Sequence, residues 1–351
     1  MVKEFKISNK NISINTCPLI IAEIGVNHNG SLKLAKKLID IAKINKAHCV
    51  KFQTFNSENL VSKSAKKAPY QIINTKKIKE TQFEMLQRLQ LTETDHLKLM
   101  DYCKKKKIIF LSTPYNFDDV DLLNKLNVPA FKLASMHLTE LSFIEYVAKK
   151  KRPIILSTGM SNINQIKKAI KILKKYLNNR FILMQCTTNY PSRIEEANIN
   201  VLNKFKNIFK CHVGYSDHTM NSISAISAVS LGAVAIEKHI TLNKKLIGPD
   251  HSSSLNPKEF YGYVNDIYNA KISLGSSIKK PSLSEKKNEK FMRRSIYSKK
   301  FIKQGKKIEL SDLEFKRPEN GLSASLAKTI IGKFAKRNIQ PNILLNKSFI
   351  K

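Results

Sequence analysis

The sequence predicts an α/β protein: a (β/α)8 TIM barrel followed by a small, mostly β tail. Three observations predict it. Eight short, apolar, β-rich runs recur along the first three quarters of the chain, with amphipathic helical patterns between most of them. Nearly every run starts apolar and finishes polar. A Ser-, Lys- and Pro-rich stretch at 274–290 then separates this repeating part from a tail of different pattern.

The runs are, in order, LIIAEIG (19–25), HCVKFQ (48–53), IIFLSTP (108–114), AFKLAS (130–135), PIILSTG (153–159), FILMQCT (181–187), CHVGYSD (211–217) and AVAIEKHIT (233–241). Each has the length and β-branched content of a strand buried on both faces in a parallel sheet. SLKLAKKLIDIAKIN (31–45) and TMNSISAISAVSLGA (219–233) have helical spacing of their apolar residues. Eight such units suit a closed barrel. An open doubly wound sheet is the alternative, and no GxGxxG or P-loop supports it. The organisation read from this is a catalytic barrel over 1–276, a linker over 277–290 and a tail domain over 291–351. In the tail, Ile302, Gly305, Ile308, Ser311 and Leu313 match Ile339, Asn342, Leu345, Ser348 and Ile350 at a constant offset, a weak internal repeat. Gly and Asn at the matched position both tolerate a left-handed turn.

Composition narrows the function. The formal net charge is +35, yet only eight of the 62 basic residues are Arg, and the Lys are spread along predicted helix surfaces such as KKAIKILKK (167–175). That reads as a solvated Lys-rich surface rather than a nucleic-acid interface, and the absence of Trp removes one stacking residue. A positive field would still draw in an anionic substrate. Five Cys without a CxxC pair argue against a disulfide framework or a thiolate zinc site. With no apolar signal core at MVKEFKISNK and no membrane-length apolar run, a cytoplasmic protein without a membrane partner is expected.

The polar strand ends carry the chemistry. A barrel presents such ends at one rim, where its active sites lie. In VGYSDHT (213–219), Ser, Asp and His are neighbours, but alternation puts Ser216 and His218 on one face and Asp217 on the other. Adjacent residues cannot form a Ser–His–Asp relay, because the His must lie between its partners. In IEKHI, Glu237 and His239 also share a face. If the seventh and eighth strands are neighbours, His218 and His239 meet in the barrel mouth as a two-His site for a divalent metal, Mn2+ or Mg2+, acting as a Lewis acid. At the same rim Lys51 and Lys132 supply positive charge, and Thr113, Ser135, Ser157 and Ser216 supply hydroxyls. That set is a cradle for a phosphate bearing a further carboxylate.

These residues resemble a known family. IAEIGVNHNGS (21–31), VKFQTF (50–55), STP (112–114), FKLAS (131–135), LSTGM (156–160), CTTNYPS (186–192), GYSDHT (214–219), EKHIT (237–241) and GPDHSSSLNP (248–257), in this order, look like the sialic acid synthase family. KRPENG (316–321) and IGKFAKRNI (331–339) resemble its C-terminal antifreeze-like (SAF) domain. The resemblance implies an enzyme that condenses phosphoenolpyruvate with an open-chain N-acetylated hexose, N-acetylmannosamine in the leading reading, to a nine-carbon 2-keto acid. The alternative is a legionaminate or pseudaminate synthase using a diacetamido-trideoxyhexose. It further implies that Lys51, Thr113, Lys132, Ser135, Ser157 and Ser216 hold phosphoenolpyruvate, that Glu23, Gln53, Tyr190 and Asp250 face the sugar, and that His218 and His239 hold the metal. Arg317 would reach the N-acetyl group from a second subunit of a domain-swapped homodimer. Glu237 is expected to activate water, with Glu23 next in line for proton transfer. Two departures from the family pattern stand out. Thr188 stands beside Asn189 where members often carry Asn, leaving open which of the two touches phosphate. Glu319 replaces a usual Gly in the Arg317 loop.

Overall fold

The computed structural model of the protein describes residues 2–351. They form two compact units that divide between Gly275 and Ser276.

The first unit opens with a hairpin, β1 (Phe5–Ile7) and β2 (Lys10–Ile12). The barrel then runs β3 (Leu19–Gly25), α1 (Leu32–Ile44), β4 (Cys49–Thr54), three short helices α2 (Ser57–Leu60), α3 (Pro69–Thr75) and α4 (Gln82–Leu89), α5 (Glu93–Lys106), β5 (Ile109–Pro114), α6 (Phe117–Lys125) and β6 (Phe131–Leu133). It continues with α7 (Leu141–Lys149), β7 (Ile154–Ser157), α8 (Ile163–Leu177), β8 (Phe181–Cys186), α9 (Val201–Phe209), β9 (His212–Asp217), α10 (Ile223–Ser230), β10 (Ala235–His239) and α11 (Pro257–Ser273). The eight strands from β3 to β10 are parallel, in the order β5-β4-β3-β10-β9-β8-β7-β6. The end strands β5 and β6 are in contact and bring the sheet round into a barrel. All eight expected strands are present, and β9 and β10 are neighbours.

Alternation sorts the core into two layers. Ile20, Ala22, Val50, Phe52, Phe110, Phe131, Leu156, Leu183 and Tyr215 face outward under the helices. Leu19, Ile21, Cys49, Leu111, Ala130, Ile155, Ile182 and Ala235 fill the interior, where Phe5, Ile7 and Ile12 of the hairpin close the end at which the strands begin. Apolar filling at that end confines polar side chains to the other. The helices follow from capping and spacing. Ser31 caps α1 by accepting from the Leu34 N–H, and Ala35, Leu38, Ile39 and Ala42 form its buried stripe. Asn162 and Gln165 form a capping box at α8, whose Lys face the solvent side.

The second unit has its own core of Ile296, Ile302, Ile308, Leu313, Ile339 and Leu345. Its strands β11 (Ser295–Ser298) and β12 (Leu313–Lys316) pair antiparallel, and a short α13 (Ala327–Ile330) follows. The repeat is visible in the backbone: Gly305 and Asn342 have φ of 77° and 61°, and Ile302 and Ile339 bridge one another. The expected linker is only partly irregular. Helix α12 (Leu283–Met292) occupies its second half, because Ser282 and Glu285 form a capping box. Among the described residues no helix is long and apolar enough to cross a membrane.

Candidate active site

Six of the strands that begin with an interior apolar residue end with a polar one on the same face, whereas β8 runs from Ile182 and Met184 to Cys186. Leu19 and Ile21 lead to Glu23, Cys49 to Lys51 and Gln53, Leu111 to Thr113, Ala130 to Lys132, Ile155 to Ser157, and Ala235 to Glu237 and His239. These ends surround a cavity of about 450 Å3, lined among others by Glu23, Lys51, Gln53, Lys132, Ser135, Ser157, Thr188, Tyr190, Ser216, His218, Glu237, His239 and Asp250.

At its floor two lysines share two carboxylates. Lys51 Nζ lies 3.1 Å from Glu23 and 3.6 Å from Glu237. Lys132 Nζ lies 3.5 Å from Glu237 and donates to Ser157 Oγ at 2.6 Å. Ser216 Oγ donates to Glu237 Oε1 at 2.9 Å, and Gln53 donates to Glu23 Oε1 at 3.4 Å. All four charged groups are buried. Their surroundings drive the two carboxyls apart. Burial lifts Glu23 to about 8 against the pull of Lys51, and Glu237 pushes the same way. Burial also opposes ionisation of Glu237, yet Lys132, Lys51 and the Ser216 hydroxyl outweigh it and hold that carboxylate at about 2. With Glu23 protonated, two lysines face one carboxylate, and the excess positive charge favours an anion.

The two histidines meet as expected, with ring centroids 5.5 Å apart. His218 Nδ1 donates to the Thr187 carbonyl at 2.6 Å, which leaves Nε2 as a lone-pair donor. His239 Nδ1 is buried without a partner, 4.0 Å from an Asp250 oxygen. Burial holds His218 down at about 4 and, with His218 and Lys51 adding to it, holds His239 well below the usual value. Neutral imidazoles are what metal ligation requires. Among the described residues no group of three His, Cys, Asp or Glu gathers to hold a metal; His218 and His239 are a pair that could ligate one with positions left for other ligands. Tyr190 packs on both rings at 4.2 and 5.7 Å.

Two expected residues, Thr113 and Asn189, sit elsewhere. Thr113 is buried with Oγ1 unpartnered and does not line the cavity. Thr188 lines it, whereas Asn189 lines a neighbouring depression. Arg317 belongs to the second unit, exposed just after β12.

The sequence reading missed one wall. Leu60, Tyr70, Met85, Leu86 and Leu89 come from the long excursion between β4 and β5, with Val26 beside them. Its length was the available signal, since connections in α/β units are usually short. Gly159 was missed too. A Cβ there would run into Thr188 Oγ1 and lie 2.8 Å from Ser135 Oγ, to which Gly159 N–H donates.

Known proteins place this arrangement. The NeuB family model matches residues 38–279, and the SAF domain model matches 293–350. The chain belongs to the NeuB family. It is 44% identical to the N,N'-diacetyllegionaminic acid synthase of Campylobacter jejuni over 94% of this chain and 99% of that protein. It is 33% identical to the pseudaminic acid synthase of Helicobacter pylori over 95% of this chain and 98% of that one. The crystal structure of the N-acetylneuraminic acid (sialic acid) synthetase of Leptospira borgpetersenii, in complex with citrate, superposes with a TM-score of 0.73 at 30% identity, covering 82% of this chain and 95% of that one. The chain is thus an enzyme, a phosphoenolpyruvate-dependent nonulosonic acid synthase of this family.

Proposed function

We propose that the enzyme condenses phosphoenolpyruvate with an open-chain 2,4-diacetamido-trideoxyhexose to a legionaminate-type nine-carbon 2-keto acid, releasing phosphate. The observation that carries the reading is the meeting of two buried lysines, a ring of hydroxyls and a neutral His pair in one cavity. Lys51 and Lys132 neutralise the phosphate and carboxylate, with Ser135, Ser157 and Thr188 donating to their oxygens while Ser216 donates to Glu237 beside them. Two features support the diacetamido sugar over N-acetylmannosamine. The relative named for N,N'-diacetyllegionaminic acid is more similar than the N-acetylneuraminic acid synthetase of Leptospira borgpetersenii, at 44% against 30% identity. The wall of Val26, Leu60, Met85, Leu86 and Leu89 suits a methyl and a second acetamido group, where N-acetylmannosamine carries hydroxyls.

His218 and His239 would hold a divalent metal, Mn2+ or Mg2+. When bound, that metal supplies Lewis-acid polarisation of the aldehyde oxygen. The chain's own groups do the rest. The methylene carbon of phosphoenolpyruvate forms the new bond to the aldehyde carbon, and Glu23 delivers its proton to the aldehyde oxygen. That attack uses the C=C electron pair and leaves C2 cationic. Water then adds to C2 and gives one proton back to Glu23. The C2–O bond to phosphate breaks as the remaining hydroxyl proton passes to the leaving phosphate, giving the ketone. Glu237 acts as counter-ion to the lysines rather than as base. Its low pKa and its contacts with Ser216, Lys51 and Lys132 favour that role over the water activation expected from sequence. In a domain-swapped homodimer Arg317 would bind an acetamido group, and a fully active monomer in solution would overturn that assignment. The test of the whole reading is phosphate release from phosphoenolpyruvate. It should require both hexose and metal, and His239→Ala should abolish it while the fold persists. Release without hexose, or full activity of His239→Ala, contradicts the reading.

A further inference from the structure

Behind the His pair lies a second buried cluster that does not line the cavity. Asp217 and Lys238 are the outward-facing ends of β9 and β10 and are partners across the ladder. Lys238 Nζ lies 3.1 Å from Asp217 Oδ2, with the two side chains 1% and 0% exposed. Tyr263 of α11 donates its hydroxyl to that same oxygen at 2.8 Å, and its ring centroid lies 5.1 Å from Lys238 Nζ. Asp217 Oδ1 accepts from the Thr219 N–H at 2.8 Å and the Thr219 hydroxyl at 2.7 Å. Lys238 Nζ donates to the Thr219 carbonyl.

The cluster therefore grips the residues on both sides of His218 and the residue before His239. A buried ion pair is a poor way to gain stability, since apolar replacements of similar volume are often as stable or more so. What it does supply is a directional tie among two strand ends and a helix. The tie matters most for His239, whose Nδ1 has no hydrogen bond to orient it.

We propose that Asp217, Lys238 and Tyr263 are positioning residues that set the spacing of His218 and His239 and so the metal affinity of the pair. The proposal rests on reading those histidines as the metal site. Outer partners of metal ligands commonly contribute 10–100-fold in affinity.

The test is Mn2+ titration of the full chain, by calorimetry and by the electron paramagnetic resonance of free Mn2+, without substrates. Tyr263→Phe removes one hydroxyl and should keep the fold, yet raise the Mn2+ dissociation constant about 10-fold. The paired Asp217→Asn/Lys238→Met variant removes both charges together and should raise it towards about 100-fold. Phosphoenolpyruvate affinity measured without metal should stay as in the wild type. A folded Tyr263→Phe protein with wild-type Mn2+ affinity overturns the proposal, even if its melting temperature falls, because the role would then be structural alone. His218→Ala and His239→Ala serve as the reference. If they too leave Mn2+ binding intact, the metal reading fails and the proposal with it.

Discussion

Glu23 and Glu237 lie on neighbouring strands and face the same lysine, yet they take opposite protonation states. Burial favours the neutral form of Glu23 and lifts it to about 8 from an ordinary 4.5. The folded protein therefore keeps this proton over a range in which the unfolded chain has lost it. The stability that Glu23 contributes is complete below the unfolded value and is lost as pH rises towards about 8. In the proposed mechanism this proton is the one delivered to the aldehyde oxygen, so kcat/KM should fall above about pH 8. Glu23→Gln should lose about 10²–10⁴-fold in kcat. A wild-type kcat/KM that stays level well past that pH contradicts the assignment. Thr188 and Asn189 give a second residue-scale test. Thr188→Ala should raise the KM for phosphoenolpyruvate, and Asn189→Ala should leave it unchanged. The reverse pattern would move the phosphate to the neighbouring depression. Most of the strand-end residues could be found from sequence, because alternation alone puts Glu23, Lys51, Lys132, Ser216 and His239 on one face. Their division of labour could not, since it depends on how four buried charges are shared in space.

At the scale of elements, the strands could be read because each is short, apolar and closed by a polar end. The excursion from β4 to β5 could not. Its helices α2, α3 and α4 are short and lack a long apolar stripe, and their shape comes from polar ties. Lys67 is the central one: its buried Nζ donates to Thr75 Oγ1 at 2.9 Å, the Lys77 carbonyl at 2.6 Å and Glu80 at 3.0 Å. Arg88 holds Glu80 from the other side at 3.1 Å. Removing one member of a buried charged pair costs about 3–5 kcal/mol when nothing replaces it. Lys67→Met should fall at the low end, because Arg88 and Lys77 remain on Glu80. Hydrogen exchange should accelerate across 57–90 and leave the strands protected, and the KM for the hexose should rise because Met85, Leu86 and Leu89 lose their support. Unchanged exchange there would mean that packing alone holds the wall. Helix α12 shows the same limit of sequence reading, where a capping box outweighed a linker-like composition.

Over the whole molecule, the net charge of +35 stands out. Most of it is exposed lysine, while the charge proposed to meet the phosphate and carboxylate is the buried pair Lys51 and Lys132. The surface field steers anions over distances that salt screens, about 8 Å at physiological ionic strength. The KM for phosphoenolpyruvate should accordingly rise with salt, and kcat should change little. A salt-independent KM would assign the binding to the buried pair alone. The tail repeat was legible because paired left-handed turns demand Gly or Asn at the same step, and Gly305 and Asn342 supply them. The identity of the sugar was not legible, because the strand-end motifs are shared by the competing readings and the apolar wall between β4 and β5 carries no motif. The central claim is tested most directly by mass spectrometry of the product formed from phosphoenolpyruvate and Mn2+ with either 2,4-diacetamido-trideoxymannose or N-acetylmannosamine. The account predicts a nine-carbon diacetamido 2-keto acid formed with the higher kcat/KM. Preference for N-acetylmannosamine would contradict the choice of sugar, and no keto acid from either hexose would contradict the account itself.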